Sequence, residues 1–133
     1  MNHFLLRAAI LSGAGISGLV SAAPAQAPAA LAMLEPGQWE LKVRGDQGAA
    51  RKICVSNPWQ LMQTEHPRNS CRRFIVSQNS REVIVTYDCA DAGNGRTDLR
   101  VETSRLAQIH SQGISESAPF AYSVEARRVG SCG

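Results

Sequence analysis

The chain has 133 residues, with 14 lysines and arginines against 11 acidic residues, and its formal net charge is +3. A chain of this length accommodates one domain and not two. So small an excess of positive charge gives no support for nucleic-acid binding, and we therefore predict no nucleic-acid partner.

Residues 1–27 have the pattern of a cleavable secretory signal peptide. One basic residue, Arg7, precedes an uncharged and mostly apolar run over residues 8–20, which is the length expected of such a signal. Three glycines interrupt the run, and roughly twenty apolar residues are needed to span a bilayer as a helix. A retained membrane anchor is therefore the weaker alternative.

The cleavage position is predicted within residues 25–29, where small residues follow one another. Cutting after Ala27 places Pro28 directly beyond the cut, where its ring hinders the peptidase, whereas cutting after Ala25 or Ala29 avoids this. No cysteine stands at the boundary, which excludes lipid attachment there. We therefore predict a periplasmic or secreted protein with no membrane span after cleavage.

The four cysteines, Cys54, Cys71, Cys89 and Cys132, all lie beyond the predicted signal. An even number of cysteines in a short exported domain is typical of disulfides, so two bridges are expected. The alternative is a zinc site, but its cysteines usually come in pairs separated by two to four residues. The gaps here are 16, 17 and 42 residues, and we predict neither a metal nor a cofactor.

Residues 28–36 are predicted to form a short leader, and residues 37–133 a single disulfide-stabilised β domain. Within the domain, seven segments have the composition or the period-two alternation of strands. They cover residues 39–44, 52–55, 72–77, 81–89, 97–104, 106–117 and 120–126.

The segments between the predicted strands contain one helix signal and several turn signals. Asn57 is a good helix cap and Pro58 suits the first helical position, so a short helix is expected to begin there. Residues 45–48 and 91–95 are rich in Gly, Asp and Asn and predict turns, and Gly113 predicts a bulge or bend. The predicted fold is mainly β: an antiparallel meander of about seven strands, curled into a partial barrel or sandwich, with one short helix and two disulfides.

The register of the third and fourth strands bears on the disulfide pairing. A turn at residues 78–80 that pairs Phe74 with Val85 puts the apolar residues of both strands on one inward face. In that register Cys71 and Cys89 lie on opposite faces, which disfavours a bridge between them. The preferred pairs are therefore Cys54–Cys71 and Cys89–Cys132.

Several landmarks of the sequence recur in a known group of proteins. They are the start Pro36–Glu40, the segment Cys54–Pro58, the middle cysteines Cys71 and Cys89, the stretch Thr103–Ile114 and the ending Arg127–Cys132. In these the chain resembles a bacterial family of small exported proteins known only as a domain of unknown function, number three-six-one-seven. The resemblance implies an envelope location and a β-rich fold, and it carries no activity to transfer. The arginine-rich segment 68–73 and the sixth strand, which has few glycines, depart from the family pattern.

No catalytic motif stands out. Beyond the predicted signal the histidines are His66, in a loop, and His110, in a polar strand, and neither belongs to a recognisable nucleophile motif. A pair of glycosidase-like carboxylates is harder to exclude, because such pairs depend on three-dimensional spacing. The acidic residues mostly fall on outward strand positions, as a solvated face would have them: Glu40, Glu82, Asp88, Asp98, Glu102 and Glu125.

Two further groups of residues have both a functional and a structural interpretation. The arginines could form a basic patch for anionic envelope polymers or lipid headgroups, or they could protect strand edges, which we favour: Arg68, Arg72, Arg73, Arg127 and Arg128. The aromatic residues could line a pocket, although filling the core of a small sheet is the favoured interpretation: Trp39, Trp59, Phe74, Tyr87, Phe120 and Tyr122.

Two functions from different classes follow from the sequence. The first is a non-enzymatic envelope module that binds an apolar or amphiphilic ligand within its sheet. The alternative is an interaction module that docks on another envelope protein through a sheet edge or an arginine-rich face. No enzymatic activity is expected.

Overall fold

The computed structural model describes residues 18–21 and 26–133. Most of the predicted signal peptide lies outside the described residues, as does part of its cleavage region. A short helix, α1 (Ala29–Ala32), precedes seven strands, and 3₁₀ helices follow β2 and β4 at Pro58–Met62 and Ala90–Ala92. The strands are β1 (Gly37–Val43), β2 (Arg51–Val55), β3 (Arg72–Gln78), β4 (Glu82–Asp88), β5 (Gly93–Thr103), β6 (Leu106–Ser115) and β7 (Ala118–Gly130).

The seven strands form one antiparallel sheet in the order β2-β1-β7-β6-β5-β4-β3. The sheet is partly curled and does not close into a barrel, because β2 and β3 lie at its two edges. Consecutive strands pair throughout, except that β2 and β3 are separated and β7 returns to pair with β1. This confirms the prediction of a mainly β, antiparallel fold with two disulfides.

The alternation of apolar and polar residues places one face of the sheet against a layer of helices and loops. We call it the covered face, because α1 and the 3₁₀ helix Pro58–Met62 pack on it, and we call the other the open face. Val83 and Val85 of β4 are fully buried on the covered face. Leu99 and Val101 of β5 lie on the same face and are at most 2% exposed. Burial of each such side chain contributes about 1.5–3 kcal/mol, so these alternating positions supply most of the core.

The predicted leader, residues 28–36, is part of that core. Ala30 and Leu31 are fully buried, and Leu34 is almost so. The indole Nε1 of Trp39 donates a hydrogen bond of 3.0 Å to the carbonyl oxygen of Glu35, which fixes the entry into β1. The leader therefore covers the sheet rather than simply leading into it.

The predicted helix at Asn57 forms as a 3₁₀ helix, Pro58–Met62, with the expected cap. Asn57 Oδ1 accepts from the backbone N–H of Trp59 at 3.0 Å, and Gln60 Oε1 accepts from the backbone N–H of Asn57 at 3.0 Å. This reciprocal arrangement is a capping box and satisfies donors that a helix start leaves free. Leu61 and Met62 are fully buried, so the helix closes one side of the core.

The turn predicted at residues 91–95 is wrong in part, because β5 begins at Gly93. Gly95 lies directly opposite Tyr87 on β4 and opposite Gly113 on β6. A Cβ at Gly95 would overlap the phenol ring of Tyr87, and a Cβ at Gly113 would overlap the backbone of Asn94. Gly95 therefore makes room for the ring of Tyr87 and Gly113 for the backbone of β5, and Gly113 sits in regular pairing rather than in a bulge.

The register predicted for β3 and β4 is wrong by one residue. Ile75, not Phe74, lies opposite Val85, and a bulge follows between Ile75 and Ser77. A shift of one residue moves every side chain to the other face. Phe74 therefore lies on the open face instead of in the core, and all seven residues of β3, at the edge of the sheet, are exposed.

The preferred disulfide pairing is corrected by the same register. The bridges are Cys71–Cys89 and Cys54–Cys132, with Cα–Cα distances of 4.3 and 5.6 Å. Arg72 lies opposite Asp88, so the next residues outward, Cys71 and Cys89, face each other across the strands and share one side. Their proximity removes the objection to that bridge and leaves Cys54 to hold the C-terminal Cys132.

Candidate binding site on the open face

The covered face is filled by side chains. Trp39 is fully buried and Tyr87 is 2% exposed, and both belong to the interior, as the favoured interpretation of the aromatic residues predicted. Phe120 and Tyr122 are half-buried and stack with ring centroids 5.7 Å apart. A fifth aromatic residue, Phe74, lies on the open face instead. A ligand site inside the sheet layer is therefore not supported. The candidate binding site lies on the open face.

Three adjoining depressions follow β5 and β6 along the open face, and together we call them the open-face trough. Their volumes are about 630, 380 and 290 Å³. The first and second share Arg96 and Gln112, and the second and third share Asp98 and His110. The shared residues make the depressions continuous. The trough spans β5 from Asn94 to Arg100, a strand length of roughly 20 Å at about 3.4 Å per residue.

The chemistry of the trough changes along its length. The apolar side chains at its first end are Phe74 of β3 and Ile114 of β6, whereas the ring of Phe120 lies on the covered side against Tyr122. Its remainder is lined by charged and polar side chains from β4 to β7. Three arginines and three carboxylates line the trough as a whole: Arg44, Arg96, Arg100, Glu82, Asp88 and Asp98. The lining therefore has its two exposed apolar side chains at one end and is mainly polar over the rest, and the charges balance over the trough as a whole.

Most of the outward acidic residues are held by neighbouring basic side chains. Asp98 pairs with Arg96 at 3.4 Å and Asp88 with Arg72 at 3.1 Å. A hydrogen bond from the backbone N–H of Ala90, together with Arg72, lowers the pKa of Asp88. The remaining ion pairs of this set are Lys52–Glu40, Arg100–Glu102 and Arg127–Glu125. These ion pairs are those expected of a solvated face.

The structure also assembles a row that the sequence did not reveal. Asp98, His110 and Ser123 lie opposite one another on β5, β6 and β7. Ser123 Oγ and His110 Nδ1 are hydrogen bonded at 2.6 Å. The carboxylate of Asp98, however, is engaged by Arg96. Strand β6 pairs on both sides along its length, so its amides are committed to the sheet and offer no oxyanion hole of the kind that acyl transfer requires.

His66 lies on the covered side, away from the trough. It is 3% exposed, and its Nε2 donates to the carbonyl oxygen of Ala92 at 2.8 Å. Its Nδ1 lies 3.3 Å from the hydroxyl of Tyr87, which can donate to it. Both ring nitrogens are therefore satisfied within the fold, and His66 holds the covering loop to the sheet.

The arginines considered as a basic patch do not come together. Arg72 and Arg73 lie on the edge strand β3, whereas Arg127 and Arg128 lie on β7, four strand spacings away. At about 4.8 Å per spacing this separation is roughly 19 Å. Arg128 Nε also donates to the carbonyl oxygen of Pro36 at 2.7 Å. These arginines therefore form two separate sets and not one basic patch. This agrees with the favoured interpretation, in which they lie at the solvent face of the strands.

Comparisons with known proteins give no assignment. No protein-family model, no curated protein and no solved structure matches the chain. The resemblance to the domain-of-unknown-function family three-six-one-seven therefore stays a prediction. Within residues 18–21 and 26–133 no three His, Cys, Asp or Glu side chains are grouped to hold a metal ion. In the same ranges, no helix has the length and apolar character needed to cross a bilayer.

Proposed function

We propose that the protein is a non-enzymatic binding module of the bacterial envelope, and that it holds an elongated amphiphilic ligand in the open-face trough. The observation that carries this proposal is the change of lining along one continuous trough, from the apolar side chains of Phe74 and Ile114 at one end to mostly charged and polar side chains over the rest. An apolar ligand segment would remove apolar surface from water at the first end, at about 0.8 kcal/mol per buried CH₂ group.

The balance of charge in the trough favours a zwitterionic or neutral polar headgroup. Arginines and carboxylates line the trough as a whole in equal numbers, so a headgroup with one sign of charge would meet repulsion as well as attraction. His110 and Ser123 add hydrogen-bonding groups in the middle of the trough. The ligand class that fits is therefore an alkyl chain with a zwitterionic head.

The test is calorimetric titration with dodecylphosphocholine below its critical micelle concentration. Wild-type protein should bind it saturably, and Ile114→Asp should weaken binding about tenfold, which corresponds to about 1.4 kcal/mol. Val129→Asp is the matched control, because Val129 is similarly exposed and lies outside the trough. Absence of saturable binding by the wild type, or an equal loss in both folded variants, would overturn the proposal.

A second candidate function, protein–protein interaction through a sheet edge, is favoured by a separate observation. Strand β3 is an edge strand, and three consecutive large apolar residues on it, Phe74, Ile75 and Val76, are between 44% and 57% exposed. Exposed apolar edges invite pairing with another chain.

The location that we propose is the periplasm or the extracellular space. Two intramolecular disulfides support maturation outside the cytoplasm, because such bridges form and persist in oxidising compartments. The predicted signal peptide supports the same location.

We expect the signal to be removed after Ala25. Cleavage after Ala29 would delete Pro28, whose carbonyl oxygen accepts the backbone N–H of Ala32 at 3.0 Å, and would place a charged amino group on the buried Ala30. Burying such a charge without a partner is costly. The mass of the protein from the envelope fraction should correspond to a chain that begins at Gln26, and a chain that begins at Ala30 would contradict this.

A further inference from the structure

The edge strand β3 leaves apolar side chains in water on both of its sides. Phe74, Ile75 and Val76 are consecutive and exposed, and no other run of consecutive, exposed large apolar residues occurs in residues 26–133. Phe74 points to the open face, whereas Ile75, opposite the buried Val85, points to the covered side. The apolar surface therefore extends around the edge of the sheet.

Residues 67–81, which contain β3, carry positive charge alone. Four arginines and no acidic residue stand in this segment, whereas residues 26–66 and 82–133 together carry nine basic and eleven acidic residues. The arginines are Arg68, Arg72 and Arg73 before the apolar run and Arg81 after it. Positive charge therefore flanks the apolar surface at both ends, on a domain that is otherwise slightly acidic.

The contacts of these arginines leave donors free for a further anion. Arg68 is exposed, Arg73 donates to a neutral side-chain amide at 3.0 Å, and Arg81 donates to two backbone carbonyl oxygens. Arg72 pairs with the carboxylate of Asp88 at 3.1 Å, and its side chain is still 78% exposed. Because each guanidinium has five N–H donors, all four arginines retain some that these contacts do not use.

The bulge in β3 makes an added strand a poor occupant of this edge. The register shifts between Ile75 and Ser77, so Val76 has no partner on β4. A bulge twists an edge strand and interrupts the regular ladder that an added strand would extend. An apolar edge interrupted in this way suits a fluid apolar phase, which needs no register.

We propose that the β3 edge, which is the run Phe74–Val76 with its flanking arginines, docks on the surface of an anionic lipid bilayer. The apolar side chains enter the boundary between headgroups and acyl chains, and the arginines bind lipid phosphates. Insertion is shallow, because the backbone groups of a free strand edge must stay within reach of water and headgroups. The inference goes beyond ligand binding in the trough and does not depend on it.

Docking through this edge would also bring the open-face trough to the membrane. Phe74 belongs to the β3 edge and lines the apolar end of the trough. That end would therefore open beside the bilayer. An alkyl chain that passes between the bilayer and the trough would then keep contact with apolar surface on its way.

The first test is cosedimentation of the full mature protein with lipid vesicles. Vesicles of phosphatidylcholine and phosphatidylglycerol should bind the wild type about tenfold more tightly than vesicles of phosphatidylcholine alone, and high salt should release it. Absence of binding to the anionic vesicles would overturn the proposal and would leave the edge to a protein partner. Equal binding to both kinds of vesicle would overturn it as well.

Two matched pairs of variants locate the docking surface. Val76→Asp should weaken vesicle binding about tenfold, because it replaces an apolar side chain with a carboxylate; Val129→Asp, a similarly exposed position on β7, makes the same change of charge and should bind like the wild type. Arg68→Gln should weaken binding about fivefold, whereas Lys52→Gln, on the opposite edge strand, should have little effect. Equal losses in the variants and their controls would overturn the proposal.

A gain-of-contact variant keeps the proposal testable should Val76→Asp fold poorly. Tryptophan favours the membrane interface, so anionic vesicles should shift the fluorescence of Val76→Trp to shorter wavelength. Val129→Trp should show no shift beyond that of the wild type. Equal shifts in the two variants would contradict docking through β3.

Titration with dodecylphosphocholine separates this proposal from the one for the trough. Val76 does not line the trough, so Val76→Asp should lose vesicle binding and retain detergent binding, whereas Ile114→Asp should do the reverse. A wild type that binds the detergent but not the vesicles would overturn the docking surface alone. One that binds the vesicles but not the detergent would overturn only the trough.

Discussion

The hydroxyl groups of Tyr87 and Tyr122 are held in a polar cluster between the sheet and its covering loop. The Tyr122 hydroxyl is hydrogen bonded to Thr64 Oγ1, and the Tyr87 hydroxyl contacts His66. Burial, the largest cause in both cases, raises the pKa of both tyrosines above the ordinary value. These are the only tyrosines in the chain, so tyrosine ionisation directly reports on this cluster.

A raised pKa makes the fold dependent on neutral tyrosines. The stability contributed by the two buried, neutral hydroxyls is fully present below the tyrosine pKa of about 10 in the unfolded chain. It is lost as the pH rises from there toward the raised pKa in the folded protein. During a rapid alkaline titration, tyrosinate absorbance should therefore appear together with the loss of far-ultraviolet circular dichroism. A tyrosinate signal that rises near pH 10 while the circular dichroism stays constant would contradict the burial of these hydroxyls.

For individual residues, part of the structure could be predicted from the sequence. The alternation in β4 correctly predicted that Val83, Val85 and Tyr87 are buried, because a half-buried strand imposes that period. The role of Gly95 could not be predicted in the same way. Its lack of a side chain matters only because the ring of Tyr87, on a neighbouring strand, lies over it.

Among the elements, the two edge strands, β2 and β3, are each tied by one disulfide. The bridge Cys71–Cys89 joins the ends of β3 and β4 and spans 18 residues, whereas Cys54–Cys132 ties the C-terminus to β2 and spans 78 residues. In the loop-entropy account, the longer closed loop restricts the unfolded chain more strongly.

Removal of each bridge separately should show this difference. The Cys54→Ala/Cys132→Ala variant should lose about 1 kcal/mol more of its unfolding free energy than the Cys71→Ala/Cys89→Ala variant. Urea unfolding of both variants is the measurement, and non-reducing peptide mapping of the wild type is the control. A larger loss for the Cys71–Cys89 pair would contradict the loop-entropy account, and a Cys54–Cys71 peptide would contradict the connectivity.

The existence of the strands could be predicted better than their register. Each strand has enough alternating or β-branched residues to be recognised, and the capping residues Asn57 and Pro58 marked the 3₁₀ helix. The register of β3 depends on a bulge after Ile75 that carries no local signal. Helix α1 is only four residues long and consists of alanine and leucine, so its burial follows from the tertiary structure and not from its pattern.

In the whole molecule, the candidate site follows from how the strands are ordered. The sequence correctly placed the acidic residues of β4, β5 and β7 away from the core, but it could not show which of them share a trough. That depends on cross-strand pairs such as Asp98 with His110 and His110 with Ser123, which bring together residues far apart in the chain. The apolar end also depends on the one-residue shift that exposes Phe74.

The most direct test of the central claim, ligand binding in the open-face trough, is a titration of ¹⁵N-labelled protein with dodecylphosphocholine followed by backbone amide shifts. We expect saturable shifts concentrated along residues 94–100 and 108–114 and at Phe74, with little change around the covering residues 57–66. Shifts centred on the covering residues, or shifts that never saturate below the critical micelle concentration, would contradict it.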